Sequence, residues 1–144
     1  MTSDLTPREI SDRLRINDLL VTYAAALDAR DWDLVRTVFT DDAVLDYSVF
    51  GGPRGTVDEA VEWLSKTLGK VPMTQHIISN VRIELSDDTA DVSSIVFNPL
   101  GTGSGVILVG GTYTDRLRRT DAGWLIAERK AEFTWSDKPI RRPD

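Results

Sequence analysis

The sequence predicts an α+β fold in which N-terminal helices pack into a curved antiparallel sheet. Three observations carry that expectation. Helical periodicity is confined to the chain before Pro72. After Pro72 the chain reads as four strands joined by hairpin turns, and helices followed by a run of strands argue α+β. Gly110-Gly111 falls inside the third long strand, where a bend or bulge would let a sheet wrap a helix and enclose a cone. With 144 residues the chain suits one domain, 1–144, able to bury roughly two-thirds of its unfolded surface.

The helices come first. Thr6-Pro7-Arg8-Glu9 is a start signal: a capping hydroxyl, proline at the first helical position, and a glutamate to complete a capping box. The helix runs to about Leu27, with Ile16, Leu19, Leu20, Tyr23, Ala24 and Leu27 as its buried stripe. Asp28 lies at the edge of that stripe, at a helix C-terminus where a carboxylate opposes the macrodipole. It needs a reason other than helix stability. Asp31 caps a second short helix, Trp32 to Phe39, with Trp32, Val35 and Phe39 as its apolar face. Asp41-Asp42 read as a turn. Ala43 to Tyr47 is a strand with Leu45 and Tyr47 on one side. A loop, Phe50 to Gly55, leads to a third helix that begins at Thr56 or Asp58, covers Ala60 to Leu68 and ends at Gly69.

The strands follow. Thr74 to Leu85 is the first long one, Asp87-Asp88 a turn, and Thr89 to Asn98 the second. Pro99 to Gly105 reads as a flexible loop. Its glycines lack the strand-to-helix setting of a phosphate motif. Val106 to Arg118, a turn at Asp121 to Gly123, and Trp124 to Trp135 complete the sheet, with an irregular tail from Ser136.

Composition narrows the chemistry. There are no cysteines and one histidine, which removes disulfides, thiolate metal sites, cysteine nucleophiles and a histidine-rich zinc site. No metal or cofactor is expected. The net charge is −6 and the basic runs are short, against nucleic-acid binding. Arg116 to Arg119 and Arg141-Arg142 read as solvated strand and tail charges. The N-terminal stretch lacks the apolar core of a signal peptide, and no apolar run nears the ~20 residues of a membrane span. The expected setting is cytoplasmic, with no membrane partner.

Four side chains are candidates for catalysis: Tyr23, Asp28, Tyr47 and His76. A carboxylate bonded to one imidazole nitrogen fixes the tautomer and supports an imidazolium, and histidine titrates near neutrality as a general base should. Buried tyrosines need a partner for the hydroxyl, which a substrate oxygen can supply. Periodicity alone does not place His76 inward. Val81, Ile83 and Leu85 share one face, and His76 and Ile78 fall on the other unless the strand kinks. Tyr113, Trp32 and Arg129 stand as candidate substrate-binding residues. Arg129 falls in an apolar row with Leu125, Ala127, Ala131, Phe133 and Trp135. It must find an anion or a hydrogen-bond acceptor there, such as a leaving group, Asp28 or another acid. For each of these residues, plain packing or solvated charge is the alternative.

From about Glu9 to Trp135 the chain resembles the cone-shaped α+β superfamily that includes nuclear transport factor 2, ketosteroid isomerase and the polyketide cyclase SnoaL. The helix ending LDARDWD, then FTDDAVLDY, and TQHIISN around the histidine, resemble the branch that holds scytalone dehydratase, the bile-acid 7α-dehydratase and lindane dehydrochlorinase. The segment ILVGGTYTDRLRRTDAGWLI is similar to a hairpin of the dehydrochlorinase. The resemblance implies elimination through an Asp–His dyad, matched here by Asp28 and His76. Tyr23 and Tyr47 match tyrosines that polarise the substrate, and Arg129 an arginine that assists a leaving group. Leu27 stands where scytalone dehydratase has a tyrosine. The third long strand offers glycine, threonine and Tyr113 in place of its second histidine. These departures fit a bile-acid-like or other steroid-like ring better than scytalone.

The expected function is therefore a cofactor-independent dehydratase-like lyase acting on a small hydrophobic cyclic substrate. The resemblance also implies a homo-oligomer, dimer or trimer. Two alternatives stay open: a ketosteroid-type isomerase, and a non-catalytic binding or assembly domain.

Overall fold

A computed structural model describes residues 3–140. Arg141 and Arg142 lie outside them. The first helix, α1 (Pro7–Ala29), starts at the predicted capping box, with both the Thr6 side-chain and Glu9 side-chain bonds formed. It ends in Arg30, whose backbone turns left-handed at φ 56°. The Arg30 guanidinium then donates to the Leu68 and Val71 carbonyls and ties the end of α1 to that part of the chain. Ile16, Leu20, Tyr23 and Leu27 form the buried stripe of α1.

Helix α2 (Trp32–Thr37) is capped by Asp31 and stops two residues short of Phe39. Phe39 instead opens β1 (Phe39–Asp46), which absorbs Asp41 and Asp42. Those acids are exposed, and the register of β1 against β6 shifts between Phe39 and Val44. The expected turn is therefore an irregular strand. Residues Ser48–Phe50 form a 3₁₀ turn, and β2 (Arg54–Gly55), which the sequence did not suggest, pairs with β1. Helix α3 (Val57–Leu68) is capped by Thr56 with Glu59 completing the box.

Four strands follow: β3 (Ile77–Ser86), β4 (Thr89–Thr102), β5 (Gly105–Thr120) and β6 (Gly123–Ser136). The segment expected as a loop, Pro99 to Gly105, is mostly strand. Pairing continues to Thr102 opposite Gly105, so only Gly103 and Ser104 turn. The sheet order is β2-β1-β6-β5-β4-β3. One pair departs from the antiparallel expectation, because β1 runs parallel to β6.

Curvature comes from bulges. The β5–β6 register shifts at Gly110/Gly111 and again at Arg116/Leu117. A side chain on Gly110 would collide with the Trp135 indole, and one on Gly111 with the Glu132 carbonyl. Without those side chains, Trp135 crosses β5 and stacks on Phe97 at 6.2 Å between centroids. The second shift reverses the parity of β6. Trp124 and Ile126 are buried ahead of it, Arg129 and Ala131 after it. The expected row of Leu125 and Ala127 with Arg129 is corrected accordingly. The core lies between the concave face of the sheet and the helices, from Ile16 and Leu20 to Leu117 and Ile126. Among the described residues no helix is long and apolar enough to cross a membrane.

Candidate active site

The concave side of the sheet holds a cavity of about 790 Å³. Its walls are largely apolar, with Leu27, Leu64, Leu68, Val96 and Ile107 among them. Polar groups converge at a few points: Tyr23, Tyr47, His76, Asn98 and Tyr113. A space of that size, with a small number of placed polar groups, suits a ring-sized organic molecule.

Asp28 and His76 meet. His76 Nδ1 lies 2.7 Å from Asp28 Oδ1. The backbone N–H of His76 also donates to both carboxylate oxygens, at 3.0 Å each. Two donors from one residue, making three contacts, therefore hold the acid that was awkward for its helix. With the carboxylate accepting from Nδ1–H, the neutral imidazole carries its lone pair on Nε2. No protein group among the described residues bonds to Nε2. His76 lines the cavity and Asp28 stands behind it.

His76 is not on the strand, as the sequence suggested, but immediately before β3. The parity conflict with Val81, Ile83 and Leu85 is real, and a bulge resolves it. Asn80 turns left-handed at φ 51°, and the β3–β4 register shifts by one residue between Ser79 and Arg82. Ile78 before the bulge and Val81, Ile83 and Leu85 after it then all pack against the core.

Tyr23 and Tyr47 are fully buried behind or along the same cavity, and their hydroxyls are 2.6 Å apart. One O–H donates to the other oxygen, which leaves the second O–H for a further acceptor. Burial pushes both hydroxyls well above the usual tyrosine range, so both are neutral donors. Tyr113 meets the Tyr23 ring edge-on at 5.9 Å, and burial raises its hydroxyl too. Trp63 of α3, which the sequence did not single out, stacks on Tyr47 at 5.6 Å and lines the cavity.

Two candidates do not reach the cavity. Trp32, the first residue of α2, is half-buried at the edge of the core, because Val35 takes the inward position on that short helix. Arg129 is fully buried and forms a bidentate pair with Asp115, Nε to Oδ1 at 2.7 Å and Nη2 to Oδ2 at 2.8 Å. It therefore does not meet Asp28 and does not itself line the cavity, although it packs behind Tyr23 and Tyr113, which do. Asp115 was missed by the sequence reading. Its signal was parity, since it shares a strand face with Tyr113 and Leu117, both buried. Among the described residues no three His, Asp or Glu side chains converge as metal ligands.

A family model described as a SnoaL-like domain matches residues 8–130. An uncharacterised protein of Mycobacterium tuberculosis is 41% identical over 130 residues, 88% of this chain and 88% of that protein. A structure from Novosphingobium aromaticivorans, provisionally named a scytalone dehydratase, superposes with a TM-score of 0.83 at 21% identity, covering 96% of this chain and 95% of that one. The hexachlorocyclohexane dehydrochlorinase of Novosphingobium barchaimii superposes with a TM-score of 0.76 at 20% identity, over 88% and 89% of the two chains. At those identities the two structures establish the likeness of fold.

Proposed function

This chain belongs to the SnoaL-like domain family, and from that premise we propose that it is a cofactor-independent lyase catalysing β-elimination on a small hydrophobic cyclic substrate. The observation that carries the reading is the Asp28–His76 contact at the wall of an apolar cavity that also presents Tyr23 and Tyr47. The names of the two structural neighbours, a dehydratase and a dehydrochlorinase, support the same reaction class.

In this reading Asp28 fixes the tautomer of His76, and Nε2 takes a proton from the carbon beside a carbonyl group. The C–H electron pair moves toward the carbonyl oxygen, where the Tyr23–Tyr47 pair donates its one free O–H to the developing negative charge. The pair then forms the new C=C bond as the bond to the β-oxygen breaks. The imidazolium returns its proton to that oxygen, which leaves as water. The size and apolar walls of the cavity support a steroid-like or polyketide-like ring.

The test is turnover of cyclic β-hydroxy ketones, followed by mass spectrometry. His76→Ala and Asp28→Asn are each expected to lower turnover by on the order of 10²- to 10⁴-fold with circular dichroism unchanged. Wild-type turnover in either folded variant would sink the reading. A product of unchanged mass would replace elimination by isomerisation.

The same reading includes a homo-oligomer. Its support is an apolar row on the outer face of the sheet, where Ile77, Phe97, Gly110 and Trp135 lie opposite one another across β3, β4, β5 and β6.

A further inference from the structure

The chain has three tyrosines, two of them packed on one guanidinium and the third bonded to one of those two. Arg129 Cζ lies 4.3 Å from the Tyr23 ring centroid and 4.0 Å from that of Tyr113. Tyr47 joins them through its 2.6 Å contact with the Tyr23 hydroxyl. The Arg129 and Asp115 side chains are both fully buried.

Asp115 accepts from Nε and Nη2. In a planar guanidinium, that leaves Nη1 pointing away from the carboxylate. Nη1 has no hydrogen-bond partner among the described residues. The pair is therefore polar along its length, with its negative end at Asp115 and its positive end among the tyrosines. Stability does not account for it, because well-packed apolar side chains of similar volume often serve as well as a buried ion pair.

We propose that Arg129 is a positioning residue that polarises the Tyr23–Tyr47 hydroxyl pair from behind, toward a negatively charged oxygen held in the cavity. The inference rests on the reading of the cavity as a reaction chamber. Buried phenols are weak acids and correspondingly modest donors to an anion. Burial pushes all three hydroxyls up, and the charge of Arg129 opposes the rise at each. A fixed cation in dry surroundings acts more strongly than the same cation in water. Arg129 does this without touching substrate.

The test reads the ionisation of 2-naphthol bound in the cavity, taken from its absorption over the pH range in which the protein stays folded. Replacing the pair by neutral isosteres, Asp115→Asn with Arg129→Gln, is expected to raise the pH at which the bound naphthol ionises by about one unit or more. Asp115→Asn alone leaves the cation without its counter-charge and is expected to lower it. A folded variant in which bound naphthol ionises as in wild type would overturn the inference.

One arm needs no change to the buried pair. Wild-type protein is expected to bind 2-naphthol as the naphtholate at a pH where the free compound is neutral, read from its absorption, and Tyr47→Phe to abolish that ionisation. Naphthol bound only as the neutral molecule, or unaffected by Tyr47→Phe, would overturn it. None of these readouts depends on turnover, so failure of the elimination reading is a separate result.

Discussion

Asp12 shows what a single side chain can cost or contribute. It sits on the buried stripe of α1, four residues before Ile16, with 6% of the residue exposed. Arg119 donates to both of its oxygens, at 2.9 and 2.8 Å, and the Trp124 indole N–H donates at 2.9 Å. The Arg119 hydrogen bonds outweigh burial and hold the carboxyl at about 2. An acid whose folded value is depressed stabilises the fold above its unfolded pKa, and that stability is lost as pH falls through the folded value. Asp12→Asn is therefore expected to cost on the order of 2 kcal/mol near neutral pH. The gap from wild type should close between about pH 4 and pH 2. Urea midpoints measured across that range check it, and a gap that persists unchanged to pH 2 would rule the linkage out. The clue was present in the sequence: an acid on an apolar stripe requires a partner. Arg119 and Trp124, more than a hundred residues away, could not be read from it.

At the level of elements, the bulges decided which way side chains face. The helix starts, the Asp31 cap and the Asp87-Asp88 turn were legible because each is written in a few adjacent residues. The inward phase of His76 was not, because a single left-handed residue, Asn80, reverses the alternation of β3. Nor was the face of Arg129, since the register shift near Ala127 does the same to β6. Alternation is a reliable guide only between bulges. At Asn80 the backbone is one that asparagine and glycine tolerate and β-branched residues do not. Asn80→Val is expected to destabilise the protein by about 1–2 kcal/mol, and Asn80→Gly by no more than a few tenths. Thermal melting of the two variants tests this, and equal melting points would show that the left-handed turn is not required there. Because the bulge carries His76 toward Asp28, loss of stability in Asn80→Val should be accompanied by loss of turnover.

For the molecule as a whole, the outer-face row of Ile77, half-buried Phe97 and Trp135 gives the proposed homo-oligomer a location. Trp135→Glu combined with Phe97→Ser is expected to shift the protein to monomer in sedimentation experiments while the fold persists. An unchanged sedimentation coefficient would place the interface elsewhere. The parallel pairing of β1 with β6 has a separate consequence, for the order in which the molecule is assembled. β6 lies between β1 and β5 in the sheet, yet it is the last of these six strands to leave the ribosome. Until it does, the segment from α1 to β2, which carries Tyr23, Asp28 and Tyr47, has no sheet edge to join. The hairpins that follow His76 can zip by themselves. The two halves are sutured by one late strand, so a nascent chain halted before β6 has synthesised all four candidate catalytic residues and still has no chamber to put them in.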